Sequence, residues 1–167
     1  EIPNNSFTAT QTYSDNAADS ALGGEYIAPV KAHNLPPTAK YSITIGNVLV
    51  LAGNTTSPNI VYYSTALGTG VQTGAAEYFP SSTNQVQIPS RGGAITGLGV
   101  LGQNLYVFKN NNIFVITGNI ALDQIRVDEV PSGGKGCIAH ATIQEINGAL
   151  IYLSYDGIYR LAENGVP

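Results

Sequence analysis

One short pattern is written three times along this chain. Asn47-Val48-Leu49-Val50-Leu51-Ala52 is an apolar run that passes through polar residues into Asn59-Ile60-Val61-Tyr62-Tyr63-Ser64. Asn104-Leu105-Tyr106-Val107-Phe108 leads through a turn into Asn112-Ile113-Phe114-Val115-Ile116. Gly148-Ala149-Leu150-Ile151-Tyr152-Leu153-Ser154 leads through Tyr155-Asp156-Gly157 into Ile158-Tyr159-Arg160-Leu161. Each copy reads as strand, polar turn, strand: β-branched and aromatic residues fill the runs, and Gly, Asn and Asp fill the gaps. No long helical period competes with this pattern, and Ala17 to Leu22 is the single short helix-like stretch. A chain patterned this way folds as antiparallel sheet.

Around the copies the strands can be placed. Tyr41-Ser42-Ile43-Thr44-Ile45 alternates at period 2, and Gly46-Asn47 fits a two-residue hairpin turn. Val48 to Ala52 is nearly continuous in apolar residues, as in a strand covered on both faces. Ile60 to Ser64 closes the first meander, residues 65–85 read as a long surface loop, and Gln85-Val86-Gln87-Ile88-Pro89 reads as an outer strand. The second meander is Ala94 to Leu101, Asn104 to Lys109 and Asn112 to Thr117, with Gly102-Gln103 and Asn110-Asn111 as turns. Gln124 to Val130 alternates apolar with charged residues, as an exposed outer strand does. Ala141 to Ile146, Ala149 to Ser154 and Ile158 to Ala162 form the third meander, and Asn147-Gly148 is the strongest hairpin signal in the chain.

The copies start roughly 45 to 55 residues apart, the spacing of β-propeller blades. The expected fold class is therefore all-β: repeated antiparallel meanders in a propeller-like arrangement. It is an incomplete or partial propeller, because three blades do not close a ring. Residues 1–40 read as an irregular N-terminal segment or linker with room for strands, and residues 41–167 as the propeller-like domain with about three repeats. The chain opens on Glu1, and the ring is expected to be completed by sequence outside this one.

Composition narrows the function. Only 11% of the residues are charged, against roughly 25% in an average soluble domain. Surface polarity then comes from Ser, Thr, Asn, Gln and Gly, which suits faces covered by neighbours as well as a neutral polar skin. The net charge is −4 and Lys and Arg form no cluster. A groove that neutralises phosphates needs several adjacent cations, so no sequence-specific nucleic-acid binding is expected; a weakly acidic wall would instead let DNA slide past. The single cysteine, Cys137, excludes a disulfide within the chain and fits assembly in a reducing cytoplasm. No apolar run approaches about 18 residues, so no membrane span is expected, and no signal peptide is visible.

Catalytic chemistry finds little footing. His33 and His140 are the only histidines. Cys137 and His140 could hold two corners of a zinc site, but zinc asks for four ligands and no second pair exists. Among the carboxylates Asp123, Asp128, Glu129, Glu145 and Asp156, the adjacent Asp128 and Glu129 point to opposite faces of a strand. Neither is set opposite a second carboxylate, as glycoside hydrolysis requires. Asp156-Gly157 reads as a hairpin turn. Ser154-Tyr155-Asp156-Gly157 partly resembles the Asp-box of sialidase-type propellers but lacks its later Thr-Trp, and the chain has no Trp. Gly92-Gly93 and Gly133-Gly134-Lys135-Gly136 lack the spacing and the following helix of a phosphate loop. The expectation is no enzyme: no catalytic, metal or cofactor-binding residue, and no cofactor. Tyrosine is abundant, ten in all, and Tyr106, Tyr152 and Tyr159 lie on predicted strands. Tyr62 and Tyr63 point opposite ways, so at least one should meet solvent or a partner. Tyr62, Tyr63, Tyr78 and Phe79 are the candidate interface residues.

Taken in order, three elements carry a resemblance. The first is Pro36-Pro37-Thr38-Ala39-Lys40-Tyr41 with Asn47 to Gly53 and Val61-Tyr62-Tyr63-Ser64. The second is Ala94 to Leu101 with Leu105 to Lys109 and Ile113 to Gly118. The third is Gly136-Cys137-Ile138-Ala139-His140 with Asn147-Gly148, Leu153-Ser154 and Asp156 to Arg160. This ordered set resembles tailed-bacteriophage virion proteins built on β-propellers, of the tail nozzle and hub kind. The resemblance implies a structural component of the virion, a tail nozzle, hub or tail-tube-associated protein. It implies a homo-oligomer in contact with other tail proteins (portal, adaptor or tube). It also implies a part in guiding or retaining DNA for ejection and in host attachment. The location implied is the phage tail, after assembly in the host cytoplasm. The alternative is a β-propeller binding module that recognises a glycan or protein on the host surface.

Overall fold

The computed structural model describes residues 36–65, 79 and 83–163. The chain divides into two units, Glu1–Val30 and Lys31–Pro167, and every described residue belongs to the second. The expected strands within residues 1–40 lie outside the described residues, as does most of the expected loop over residues 65–85.

The described residues build three antiparallel sheets in chain order. The first holds β1 (Tyr41–Ile45), β2 (Val48–Ala52), β3 (Ile60–Tyr63) and β4 (Gln85–Gln87). The middle sheet holds β5 (Ile95–Leu101), β6 (Asn104–Lys109), β7 (Ile113–Asn119) and β8 (Gln124–Val130). The third holds β9 (Gln144–Glu145), β10 (Ala149–Ser154) and β11 (Gly157–Ala162). Every strand pairs with its sequence neighbour and no sheet closes on itself. The fold is all-β and antiparallel, as the pattern predicts.

Turn chemistry sets the registers. Ile45 pairs with Val48 across Gly46-Asn47, and Ser154 pairs with Gly157 across Tyr155-Asp156. Asn147 and Gly148 both take positive φ, 50° and 69°. That is the backbone of a tight hairpin turn whose twist matches its strands, and Ile146 and Ala149 exchange both backbone hydrogen bonds across it.

Side chains alternate between two cores, and β6 shows the rule most plainly. Leu105 and Val107 join Val48, Val50, Val61 and Tyr63 in the core between the first and middle sheets. Tyr106 and Phe108 face the other way and join Leu150, Tyr152, Leu161 and Cys137 in the core between the middle and third sheets. Burial on both faces is why β6 reads as one unbroken apolar run. On β2 the same signal has a different outcome: Val48, Val50 and Ala52 are buried, while Leu49 and Leu51 are only half covered.

The first strands of the three sheets converge, since β1 and β9 both pack on β5. Two glycines on β5 make this possible. A Cβ at Gly97 would strike Ile143, and one at Gly99 would sit 2.9 Å from Leu150 Cδ1. Tyr41 of β1 reaches across to His140, ahead of β9, with ring centroids 4.8 Å apart.

The expected strand Ala141 to Ile146 is the main departure. His140–Thr142 forms a 3-10 turn, and only Gln144–Glu145 is strand. The cause is local. Thr142 Oγ1 donates to the Ala139 carbonyl at 2.6 Å and accepts the Leu153 N–H at 3.1 Å. A side-chain hydroxyl thus takes the hydrogen bond that a longer β9 would have made.

Candidate interaction surfaces

Outward faces follow from the same alternation. On the third sheet, Tyr152 and Tyr159 turn toward the core, so the register pairs Ile151–Arg160 and Leu153–Ile158 turn away from it. Ile158 is 75% exposed, and Tyr155 and Ile146 in the adjoining turns are 70% and 52% exposed. Of the exposed large apolar residues described, only Leu122 lies outside this region and the Ile138 segment leading into it. The outward face of the first sheet is milder: half-covered Leu49, Leu51 and Tyr62 stand beside exposed Ser42 and Thr44. Neither face carries a cluster of like charge.

The candidate interface residues separate. Tyr62 lies on that outward face, opposite Leu51 and Gln85. Tyr63 is 2% exposed, in the first core. Its hydroxyl donates to the Asp123 carboxylate, with the Thr83 carbonyl 3.4 Å away. Burial first, and then Asp123, push the Tyr63 phenol well above its ordinary range. Phe79 is buried, and Tyr78 lies outside the described residues, as does His33.

A buried lysine ties the loops beside the first core. Lys109 ends β6 fully buried, and its Nζ donates to Asn59 Oδ1, Pro89 O and Gly93 O at 2.6, 2.6 and 2.8 Å. Burial pushes its ammonium from 10.5 down to about 8. The three oxygens pull the other way, because they occupy all three N–H donors of the charged form. Phe114 adds its ring face 5.7 Å from Nζ. Apolar patterning around residue 109 gives no hint of this, since the acceptors come from loops 16 to 50 residues away.

Cys137 and His140 serve the packing between the middle and third sheets. Cys137 is fully buried, its N–H donates to Lys109 O at 2.9 Å, and its carbonyl accepts from Thr96 Oγ1 at 2.6 Å. His140 Nδ1 accepts the Leu98 N–H at 3.4 Å, and burial pushes the imidazole pKa down. Among the described residues no three His, Cys, Asp or Glu side chains group as metal ligands, and no helix is long and apolar enough to cross a membrane. Asp156 sits in the β10–β11 turn, paired with Lys135 and accepting from Tyr159 Oη at 3.0 Å. The Lys135 hydrogen bond holds its carboxyl below the ordinary range.

One cleft, of about 190 Å³, opens between the middle and third sheets. Tyr106, Val115, Glu129, Val130, Leu161 and Glu163 contribute to its walls. Tyr106 is only 3% exposed; its hydroxyl makes no hydrogen bond among the described residues and is not a buried orphan, so it meets solvent at the cleft. Burial first, and then the nearby Glu163 carboxylate, push its phenol pKa up.

No protein-family model matches the chain, and no curated protein matches it.

Proposed function

We propose that this chain is a structural component of a bacteriophage virion, a β-propeller protein of the tail nozzle, hub or tail tube. It acts through interfaces rather than catalysis. In this reading each sheet is a blade, and the convergence of β1 and β9 on β5 marks the axis from which blades fan out. The observation that carries the reading is the outward face of the third sheet. Leu153, Ile158 and Ile151 form an apolar surface on a sheet whose other side is already packed. Single exposed apolar residues are ordinary, but a contiguous group on one sheet face marks an interaction surface. The low charge and the resemblance of the ordered motifs to phage tail propellers agree with this. The partners are then copies of this chain and neighbouring tail proteins (portal, adaptor or tube). The weakly acidic character suits a conduit that guides or retains DNA without gripping it.

Light scattering behind a sizing column, across a range of concentrations, tests the proposal. A discrete oligomer several times the 17.5 kDa chain mass, dispersed by Ile158→Asp without loss of β structure, is the expected result. A monomer at every concentration that also ignores purified tail proteins would overturn it.

A further inference from the structure

His140 joins all three sheets. It opens the 3-10 turn that leads into β9 of the third sheet. Its ring meets Tyr41 of β1, with centroids 4.8 Å apart and planes tilted by 52°. Its Nδ1 accepts the Leu98 N–H of β5 at 3.4 Å. Because β5 is an edge strand of the middle sheet, a side chain from outside that sheet holds one of its amides. Gly97 permits the approach: a Cβ there would strike Ile143 and lie 3.2 Å from His140 Nδ1. Tyr41 is backed in turn by Gly53, where a Cβ would come within 2.8 Å of its ring.

We propose that His140 is an acid-sensitive latch: its second proton has to enter at Nδ1, the atom that holds Leu98, so protonation unfastens the segment ahead of β9 from β5 where the three sheets converge. A neutral imidazole carries one N–H, and a ring that accepts at Nδ1 carries it on Nε2. The lone pair left for a proton is then the one engaged by the Leu98 amide. Once Nδ1 is filled, it and Leu98 N are two donors face to face, on a residue only 1% exposed. The Tyr41 ring favours a cation and returns part of this, but the donor clash stays. The surroundings supply no countercharge. On β1, Tyr41 is the titratable group in contact, and Lys40 before it is exposed. β5 brings Gly97 and Leu98, and β10 meets the turn through Leu153. Cys137 is buried with its thiol on the Ala139 carbonyl, and Glu145 on β9 is exposed. Burial alone lowers the imidazole pKa from its ordinary 6.5. A base lowered in the folded state contributes in full above its unfolded value of 6.5, and that contribution fades as pH falls below it. The neighbouring bond from Thr96 Oγ1 to Cys137 O does not titrate, so release is confined to the His140 end of the segment. The latch acts within one chain and does not depend on the assembly proposed above.

The test compares the whole chain with His140→Asn and His140→Phe. Asparagine places Oδ1 where Nδ1 stands and accepts from Leu98 without titrating. Phenylalanine keeps a ring against Tyr41 but accepts nothing. Urea unfolding is followed at a series of values from about pH 8 to about pH 5, the range in which histidine titrates. Relative to His140→Asn, the unfolding constant of the parent should rise about fivefold or more across that range, the weight of one hydrogen bond turned into a donor–donor contact. His140→Phe should be the less stable variant at the alkaline end and show no such rise. The other histidine, His33, is common to all three proteins, so its titration cancels in the comparison. In the 15N-labelled parent, the neutral His140 ring should be protonated on Nε2, and the Leu98 amide should shift in step with the His140 titration. Parallel pH profiles in the parent and His140→Asn would overturn the latch. So would a neutral ring protonated on Nδ1, or a Leu98 amide unmoved while His140 titrates. The last two readings need only the parent, so they decide the matter even where a variant does not fold.

Discussion

Replacing Lys109 with methionine isolates the buried tie at the end of β6. Methionine keeps the length and most of the volume, so the cavity left is small. What disappears is one ammonium and three hydrogen bonds of 2.6 to 2.8 Å. Each bond to a charged group contributes about 1.5–3 kcal/mol. Against this, methionine escapes the several kcal/mol that burying the ammonium costs. The balance is tipped by what remains: Asn59 Oδ1, Pro89 O and Gly93 O, on half-buried or exposed residues, then face a thioether, and each acceptor that water does not reach costs about 1–3 kcal/mol. Asn59 can rotate to recover a partner, whereas the two backbone carbonyls are fixed. A net loss of about 3 kcal/mol follows, and a fall in Tm of about 6–12 °C for a domain of this size. With no tryptophan in the chain, urea unfolding followed by far-UV circular dichroism is the suitable assay. Asn59→Ala should cost less, and the double variant should cost less than the two changes separately, because they share one bond. A Lys109→Met protein as stable as the parent would refute the reasoning, since desolvation would then outweigh all three bonds.

Three further outcomes are expected. Tyr63 and Tyr106 hold their phenol protons above the ordinary range, and Tyr152 does so up to about 12. Groups raised in the folded state stabilise fully below their unfolded value of 10.0 and lose that contribution as pH rises through the folded value. Denaturation midpoints should therefore fall from about pH 10 upward, with phenolate absorbance appearing as the fold is lost; free ionisation of all ten tyrosines before unfolding would count against this. Gly136→Ala should destabilise by about 2 kcal/mol or more, because its Cβ would run into the Lys109 carbonyl, and thermal melting would reveal it. Lys135→Met should raise the apparent pKa of Asp156 toward 3.8 in an NMR titration while leaving the melting temperature nearly unchanged, since both groups are solvent-exposed.

Most of the sheet was legible in the sequence because local chemistry agreed with the final packing. Gly46-Asn47, Gly102-Gln103 and Asn147-Gly148 each fall in the turn of a hairpin the structure contains. Alternation and apolar runs located the strands between them. The reading missed where one side chain displaced a backbone partner, as Thr142 does ahead of β10. It also saw nothing of the groups whose partners lie far along the chain: Lys109 with Asn59, Tyr63 with Asp123, and the walls of the cleft. Pattern reports which face a residue takes, and these contacts depend on which loops meet there. The tyrosine signal was similarly limited: adjacency placed Tyr62 and Tyr63 on opposite faces, but only packing placed Tyr63 in the core.

Because the middle sheet floors both cores, its strand β6 is covered on both faces, while β8 still turns Arg126 and Asp128 to solvent. Loss of the third sheet would leave the core beneath the first sheet standing, and the reverse also holds. Opening should therefore begin at either flank and reach β6 last, so its amides should exchange with solvent most slowly. A chain half opened in this way would bare Tyr106, Phe108 and Ile113 together. That is a sticky patch during folding, open to wrong pairings until the third sheet closes over it.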